Sequence, residues 1–364
     1  MQRRNTINGN CFGWWCHDVF RYAYAARWIQ GPVVPKWSQR HDFSVGGSLM
    51  VTDTIGIIVA GSAGLSCASA LKDRGYSPVI LEKGRGVGGR LATRRTDSGF
   101  QFDHGAQYIT AKTDGFQSVL ARLRDEGVAD DWPGAHREVI VGTPSMNAIA
   151  KSLAEGLDIR RNIRVTDLRA EGSAWRATTA DSIFEFDRLV VTAPQPQTVD
   201  LLGVGHPLAK EISKVRMSPC WTLMATFADQ HEIPFTSRSV PDGCLAWIAL
   251  NSSKPQRPDA NSWVVQAGAD WSADNLEREP DDVAQELLLR LCGVLRMGPS
   301  NVVHAAAHRW RYARVEEPLG KPFCRNDAGT LYLGGDWCLD ARVEAAWTSG
   351  RAIAEDLLEE LHAG

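Results

Sequence analysis

A short apolar run, Ile55-Gly56-Ile57-Ile58-Val59, passes without a linker into Ala60-Gly61-Ser62-Ala63-Gly64-Leu65. The run reads as a strand buried on both faces of a parallel sheet. Ser66 to Arg74 then reads as a helix with small residues on one face, stopped by Gly75. A second strand, Ser77 to Leu81, ends at Glu82. This spacing predicts a βαβ unit with an acidic residue ~20 positions beyond the glycine turn, the arrangement that binds a dinucleotide.

Each residue type has a physical reason to be there. Gly61 lets the backbone approach a pyrophosphate, and Gly64 lets helix and strand pack closely. Ala60, Ser62 and Ala63 complete the turn and open the helix, where unpaired N–H groups favour an anion. Glu82 is placed to accept hydrogen bonds from ribose hydroxyls, and its charge disfavours a 2′-phosphate. Val59 breaks the pattern, because glycine is expected there. Either the turn holds this β-branched residue off its preferred dihedrals at ~1–3 kcal/mol, or the turn shifts and dinucleotide affinity falls.

The next stretch, Lys83-Gly84-Arg85-Gly86-Val87-Gly88-Gly89-Arg90, combines glycines with cations. Such a loop can fold over a pyrophosphate, its N–H groups cradling the anion and an Arg fork neutralising it. Lys83, Gly89 and Arg90 are the candidates. The two elements together favour a flavin dinucleotide over a nicotinamide one.

Further along, Leu331-Tyr332-Leu333 is a short strand, ended by Gly334-Gly335 with Asp336 at its carboxyl end, where parallel sheets place ligands. A helix is expected from Ala341 or Arg342 to about Leu361. Its first N–H groups, around Val343 and Glu344, are expected to face the N1–C2=O edge of a flavin, where reduction places negative charge. His308-Arg309-Trp310-Arg311-Tyr312 alternates as a strand, with His308, Trp310 and Tyr312 on one face. His308 is a candidate hydrogen-bond partner for a substrate amide and Trp310 a stacking partner. Lys254 is expected on a loop, either meeting a substrate phosphate or simply solvated. A helix is expected near Asp281–Leu291 with Gly293 just past its end, and another from Met146 to Leu157. Strands are expected around Ile163–Leu168, Trp175–Thr179 and Leu189–Val191.

Composition excludes several classes. A net charge of -3 over 364 residues gives nothing global to attract nucleic acid. No apolar run reaches the ~18 residues needed to span a bilayer. Eight cysteines are too sparse for a disulfide scaffold and suit a reducing, cytoplasmic compartment. No clustered metal ligands and no nucleophile elbow occur. Residues 1–49 stand apart, being rich in aromatics and net basic, with no clean period. The expectation is that Met50 starts the folded chain and the upstream part is a translated leader; a lid or membrane-touching arm is the rival reading.

Several separated stretches resemble one family: GSAGLSCASAL, EKGRGVGGRLATRR, FDHGAQYIT, GTPSMNAIAKSL, VVTAPQPQ, AHRWRYAR and LGGDWCLDARVEAAWTSG. In order and spacing, residues 52–362 resemble the renalase-like branch of the FAD-dependent amine oxidase superfamily, nearest the bacterial renalases. The resemblance implies an α/β fold with a discontinuous Rossmann-like FAD-binding domain (50–110, 145–195 and 325–364) and a second mixed α+β substrate domain (111–144 and 196–324). It implies FAD as cofactor, here expected to be non-covalent. The implied reaction is oxidation of 2- or 6-dihydroNAD(P) to NAD(P)+, with O2 reduced to H2O2. Gly61, Gly64, Glu82 and Arg90 then resemble dinucleotide contacts. Gly105, Ala106, Gln107 and Tyr108 resemble the stretch beside the isoalloxazine. Val165 resembles the residue whose backbone meets adenine, and Thr192 and Ala193 the return crossing to the FAD domain. Asp336 resembles the carboxylate near the ribityl or pyrophosphate region. Tyr108, Gln266, His308 and Trp310 line the implied substrate side. Gln266 stands where the bacterial members carry His, which leaves the substrate open. The alternatives are an amine oxidase or desaturase acting on another small reduced substrate, and a binding module without turnover.

Overall fold

The computed structural model describes residues 53–135, 137–228, 235–240 and 243–363. The expectations for residues 1–49 and Met50 lie outside the described residues.

Strand β1 (Ile55–Ile58) leads into helix α1 (Ser62–Lys72) and strand β2 (Val79–Glu82). A hairpin follows, β3 (Thr93–Arg95) and β4 (Gln101–Asp103). Then come α2 (Asp114–Asp125), β5 (Ala129–Asp131), β6 (Ile140–Gly142) and α3 (Asn147–Leu153). The chain returns through β7 (Asp158–Arg161), a meander of β8 (Val165–Glu171), β9 (Ala174–Thr179) and β10 (Ile183–Phe186), and β11 (Arg188–Val191). Helices α4 (Gln195–Leu202) and α5 (Pro207–Glu211) lead to β12 (Arg216–Phe227), β13 (Ser237–Ser239), β14 (Leu245–Leu250) and β15 (Asn261–Ala267). Helices α6 (Ala269–Asp274) and α7 (Pro280–Leu295) precede the long β16 (Val302–Glu317). Strands β17 (Phe323–Arg325) and β18 (Leu331–Gly334) and helix α8 (Val343–Ala363) finish the fold.

Six strands form one sheet in the order β17-β18-β11-β1-β2-β7. All its neighbours are parallel except the β17 edge. The chain leaves β1 towards β2 on one side and returns beside it through β11 on the other. That reversal opens a crevice at the carboxyl end of β1, the place where such sheets bind ligands. Alternate residues of β1 feed different cores. Ile57 packs with Leu65, Leu71, Phe116, Leu120 and Leu357, and Ile58 packs with Leu81, Val191, Leu333 and Trp337. Residues 114–141 share the first of these cores with α1 and α8. The fold is therefore α/β with a Rossmann-like sheet, as the sequence predicts, and a separate antiparallel sheet in the order β13-β14-β15-β12-β16. One face of that second sheet packs on α7 through Trp221, Leu223, Trp263, Leu287 and Leu291. Its other face receives Phe102 on Met224 and Val264.

The helix boundaries differ from the sequence expectation in three places. Helix α1 starts at Ser62, directly after Gly61, and not at Ser66. Helix α3 is confined to Asn147–Leu153. Helix α7 runs through Gly293 to Leu295 and ends on Arg296 in the left-handed conformation, φ 56°. Burial of Leu291, Cys292 and Leu295 carries the helix past the glycine, because packing of one face outweighs its poor propensity.

The turn after β1 takes the strained form. Val59 has φ 83°, in the region that favours glycine. Its N–H donates to Leu81 O at 2.9 Å, and its carbonyl accepts from Thr192 Oγ1 at 3.1 Å. A Cβ on Gly64 would lie 2.1 Å from that carbonyl, so the helix can start here only with glycine at 64. Val59→Gly is expected to raise the unfolding free energy by about 1 kcal/mol, relief of strain exceeding lost packing. Val59→Ala keeps the strain, loses packing and is expected to lower it. Gly64→Ala is expected to cost more than about 2 kcal/mol. Denaturant unfolding of the three variants checks the signs.

Candidate functional site: a dinucleotide cradle and a wall of neutral rings

Helix α1 begins on Gly61 without a side-chain cap, and its first turn holds no acidic residue. The N–H groups of Ser62, Ala63 and Gly64 have no acceptor among the described residues. A Cβ on Gly61 would meet only Val59 Cγ1, at 3.8 Å, and one on Gly86 would meet nothing within 4 Å. The glycine loop folds across this helix start. Gly88 N donates to Ala60 O at 2.8 Å, and a Cβ on Gly89 would lie 3.9 Å from Gly61 Cα. Open space, unpaired donors and an adjacent mobile-type glycine loop fit a pyrophosphate.

Glu82 closes the other end. Its carboxylate accepts from Ala60 N at 2.8 Å and from Gly84 N at 2.6 Å, which ties the two glycine turns together. Each oxygen keeps acceptor capacity for a ribose hydroxyl. Ile163 N donates to the Glu82 backbone carbonyl at 2.9 Å, two residues before Val165 begins β8. Lys83 Nζ lies 3.0 Å from Gln197 Oε1. Thr192 clamps the turn, donating to Ile58 O and Val59 O, and Ala193 O accepts from Trp337 Nε1 at 3.0 Å.

Arg90 and Asp336 were expected as separate cofactor contacts, but they pair with one another. The guanidinium makes two bonds to the carboxylate, at 2.7 and 2.5 Å, and a third to Ala313 O at 3.0 Å. A planar fork matches a carboxylate in this way whenever the two are brought together. The pair ties the glycine loop to the end of β18 and to β16. On α8, the N–H groups of Val343 and Glu344 have no acceptor among the described residues. The Glu344 carboxylate is engaged elsewhere, accepting from Lys112 N, Thr113 N and Thr113 Oγ1 at 2.7–2.9 Å.

The segment His104–Gln107 lies where the two sheets meet. A Cβ on Gly105 would lie 2.0 Å from Arg90 O, and Ala106 N donates to the same carbonyl at 2.8 Å. The second sheet grips the segment from the opposite side. Gln266 Nε2 donates to Gly105 O and Trp310 Nε1 to His104 O, each at 2.8 Å. Both side chains were expected on the substrate side; Trp310 Nε1 and Gln266 Nε2 are engaged by this backbone, while the Trp310 ring and Gln266 Oε1 are not. His104 stacks on that ring at 5.1 Å, and His308 stands edge-on to both rings, at 4.9 and 4.5 Å. Tyr108 packs edge-on to Trp247 at 5.8 Å and hydrogen-bonds Arg137.

His104 is the residue that sequence reasoning missed, although FDHGAQYIT contains it. It is 5% exposed and its Nδ1 has no hydrogen-bond partner. The available signal was alternation. Phe100, Phe102 and His104 face β16, where His304 stacks on Phe102 at 5.4 Å, while Asp103 faces the opposite way. Arg94 is the cross-strand partner of Phe102 and so shares the His104 face. Burial, then His308 and Arg94, push the His104 pKa down to about 3. Burial and Arg94 push His308 down to about 4. Both rings are neutral at pH 7.

Lys254 corrects another expectation. It is a fully buried lysine, bonded to Asp103 and Gln107 and placed over the Trp132 ring. The reason is a carboxylate, Asp103, that sits at the back of the same hairpin.

The histidine shifts set a pH dependence. The unfolded imidazoles protonate near pH 6.5, whereas the folded ones resist until about 3 and about 4. Their contribution to stability is complete above pH 6.5 and is lost as pH falls towards those values. Each group is expected to cost up to ~1.4 kcal/mol per pH unit in that window. Urea unfolding from pH 7 to 4 should show this slope, and His104→Phe should flatten it.

Comparison with known proteins agrees with this architecture. Residues 57–123 match the NAD(P)-binding Rossmann-like domain family, and residues 130–358 match the flavin containing amine oxidoreductase family. Renalase of Mus musculus is 23% identical over 316 residues, which covers 77% of this chain and 91% of renalase. Among solved structures, one described as a protoporphyrinogen oxidase from Exiguobacterium sp. 255-15 aligns with a TM-score of 0.69 at 15% identity, covering 85% of this chain and 99% of that one. Cyclohexylamine oxidase from Brevibacterium oxydans IH-35A aligns with a TM-score of 0.65 at 12% identity, covering 85% and 99%. With well over half of its residues inside the match, the chain belongs to the flavin containing amine oxidoreductase family, as a renalase-like flavin oxidoreductase.

Proposed function

We propose that this protein is an oxidase of 2- and 6-dihydroNAD(P), using non-covalent FAD. A flavin held in the cradle would supply the two-electron acceptor, so that the dihydropyridine, O2 and one proton would give NAD(P)+ and H2O2. The observation that carries this reading is the wall formed by His104, His308 and Trp310. Its rings are uncharged, Trp310 being stacked on the buried His104 with His308 edge-on to both, and it stands beside the Arg94 guanidinium. A planar neutral ring stacks on such a wall, whereas an ammonium ion meets the repulsion of Arg94. Aromatisation of a dihydropyridine to a pyridinium needs no strong protein base, so orientation and water exclusion suffice.

The chain's own residues divide the work. The unpaired N–H groups of Ser62, Ala63 and Gly64, with the loop through Gly89, hold the pyrophosphate, and Glu82 holds the ribose. The Arg90–Asp336 pair fixes the loop against β16. The N–H groups of Val343 and Glu344 supply donors to negative charge at the far end of the cofactor. Gln266 and Trp310 fix the backbone of His104 and Gly105, which would border a flavin held in the cradle.

The absorbance spectrum of purified protein is expected to be that of a flavoprotein, with the flavin released on denaturation. Anaerobic mixing with 2- and 6-dihydroNAD(P) is expected to bleach it, and air to restore it with peroxide. Bleaching by amines and not by the dihydropyridines would replace this reading with an amine oxidase. A yellow protein that nothing bleaches would leave a binding module.

A further inference from the structure

Beneath the His104–Gly105 segment lies a cluster of buried charges that the reading above does not use. Asp103 is 0% exposed, and burial alone would raise its pKa; Lys254 and Arg257 outweigh that and hold it at about 2. Arg257 already saturates one carboxylate oxygen, with Nε at 3.0 Å and Nη2 at 2.7 Å. The other oxygen accepts from Thr93 Oγ1 at 2.7 Å and Met146 N at 3.0 Å. Asp103 is thus satisfied without Lys254. Lys254 nevertheless sits beside it, 3.4 Å from Oδ2, with no side-chain exposure. Two buried cations face one buried anion, and an ammonium in excess is costly inside a protein.

Besides Asn251 Oδ1 at 3.5 Å, Lys254 reaches one further group that Arg257 does not. Its Nζ is 3.2 Å from Gln107 Oε1. This fixes the direction of the Gln107 amide, whose Nε2 donates to Asp103 O at 2.5 Å and Gly105 O at 3.1 Å. Gly105 O is also the acceptor for Gln266. A chain of bonds therefore runs from Lys254 through Gln107 to Gly105, the residue pressed against the Arg90 backbone beside the cradle.

We propose that Lys254 is a positioning residue for flavin reduction, holding Gly105 in place through Gln107 and supplying uncompensated positive charge behind that segment, which would favour an anionic reduced flavin in the cradle. This rests on the flavin reading above. The groups around Nζ are Asp103 from β4, Arg257 and Asn251 from its own loop, Gln107, and the Trp132 ring. Burial lowers the Lys254 pKa to about 8, Asp103 opposing. The excess charge is therefore present below pH 8 and gone above it.

The test is the midpoint potential of the bound flavin, equilibrated with dyes between pH 6.5 and 9.5, in wild type, Lys254→Met and Lys254→Gln. Wild type should show an added drop centred near pH 8. At pH 6.5 both variants should hold the reduced flavin about tenfold less favourably, about 30 mV lower for a two-electron couple, and should lack the drop. Lys254→Gln, which restores a donor to Gln107, should recover turnover lost in Lys254→Met without recovering the potential. Variants that melt at lower temperature but keep the wild-type potential and pH profile would reduce Lys254 to a structural role and overturn the proposal. If neither variant folds, the wild-type titration decides alone, and a flat profile around pH 8 overturns it. Protein that binds no flavin overturns it too. Bound flavin that dihydropyridines do not reduce defeats the substrate reading, and the potentials still decide the role of Lys254.

Discussion

The fold turns on the contact between the Val59 carbonyl and the Cα of Gly64. Strand β1 is buried on every side, so the chain must leave it abruptly to start α1 above the sheet. The reversal forces Val59 to a positive φ, and Thr192 from the neighbouring strand holds the resulting carbonyl. That close approach sets the height of α1 over the sheet and aims its first N–H groups at the crevice. The glycine loop, Glu82 and Arg90 then arrange themselves around the opening so formed. Strain at a non-glycine residue persists when its surroundings over-determine it, and here bonds from Leu81 and Thr192 do so.

The second constraint is the narrow strip at His104–Gly105. It touches the Rossmann-like part through Arg90 and the antiparallel sheet through Gln266 and Trp310. Its two sides differ in kind. Phe102 and His104 face neutral rings, while Asp103 faces the buried cations. Period-two alternation along a single short strand thus separates a face of neutral rings from an electrostatic support. The neutral histidines and the charged cluster are consequences of the same hairpin.

The βαβ unit was legible because its signals are local: an apolar run, a glycine turn and an acidic residue at a fixed distance. The strain at Val59 was legible for the same reason. What the sequence hid lies in partners far apart along the chain. Lys254 in Ser-Ser-Lys-Pro looks like a solvated loop residue, and its carboxylate partner is 151 positions away. Arg90 and Asp336 were each recognised, but their pairing across 246 positions was not. Gly293 misled the reading of α7 because the burial that overrides it comes from strands elsewhere in the chain. Trp310 and Gln266 were singled out from their local pattern, yet their role in gripping backbone depends on a register that only the assembled sheets define.

The packing of α8 on α1 carries a further implication for biosynthesis. A Cβ on Gly350 would lie 2.1 Å from Ala63 O, so the last helix presses directly on the first turn of the first one. Strand β18 likewise completes the sheet beside β11. The nucleotide-binding end is therefore assembled from two ends of the described chain, with nearly 300 residues of sequence between Ala63 and Gly350. Long-range closure of this kind is slow. A nascent chain still lacking α8 has the glycine turns and the packing of α1 on β1 and residues 114–141, but not the helix that presses on the first turn of α1.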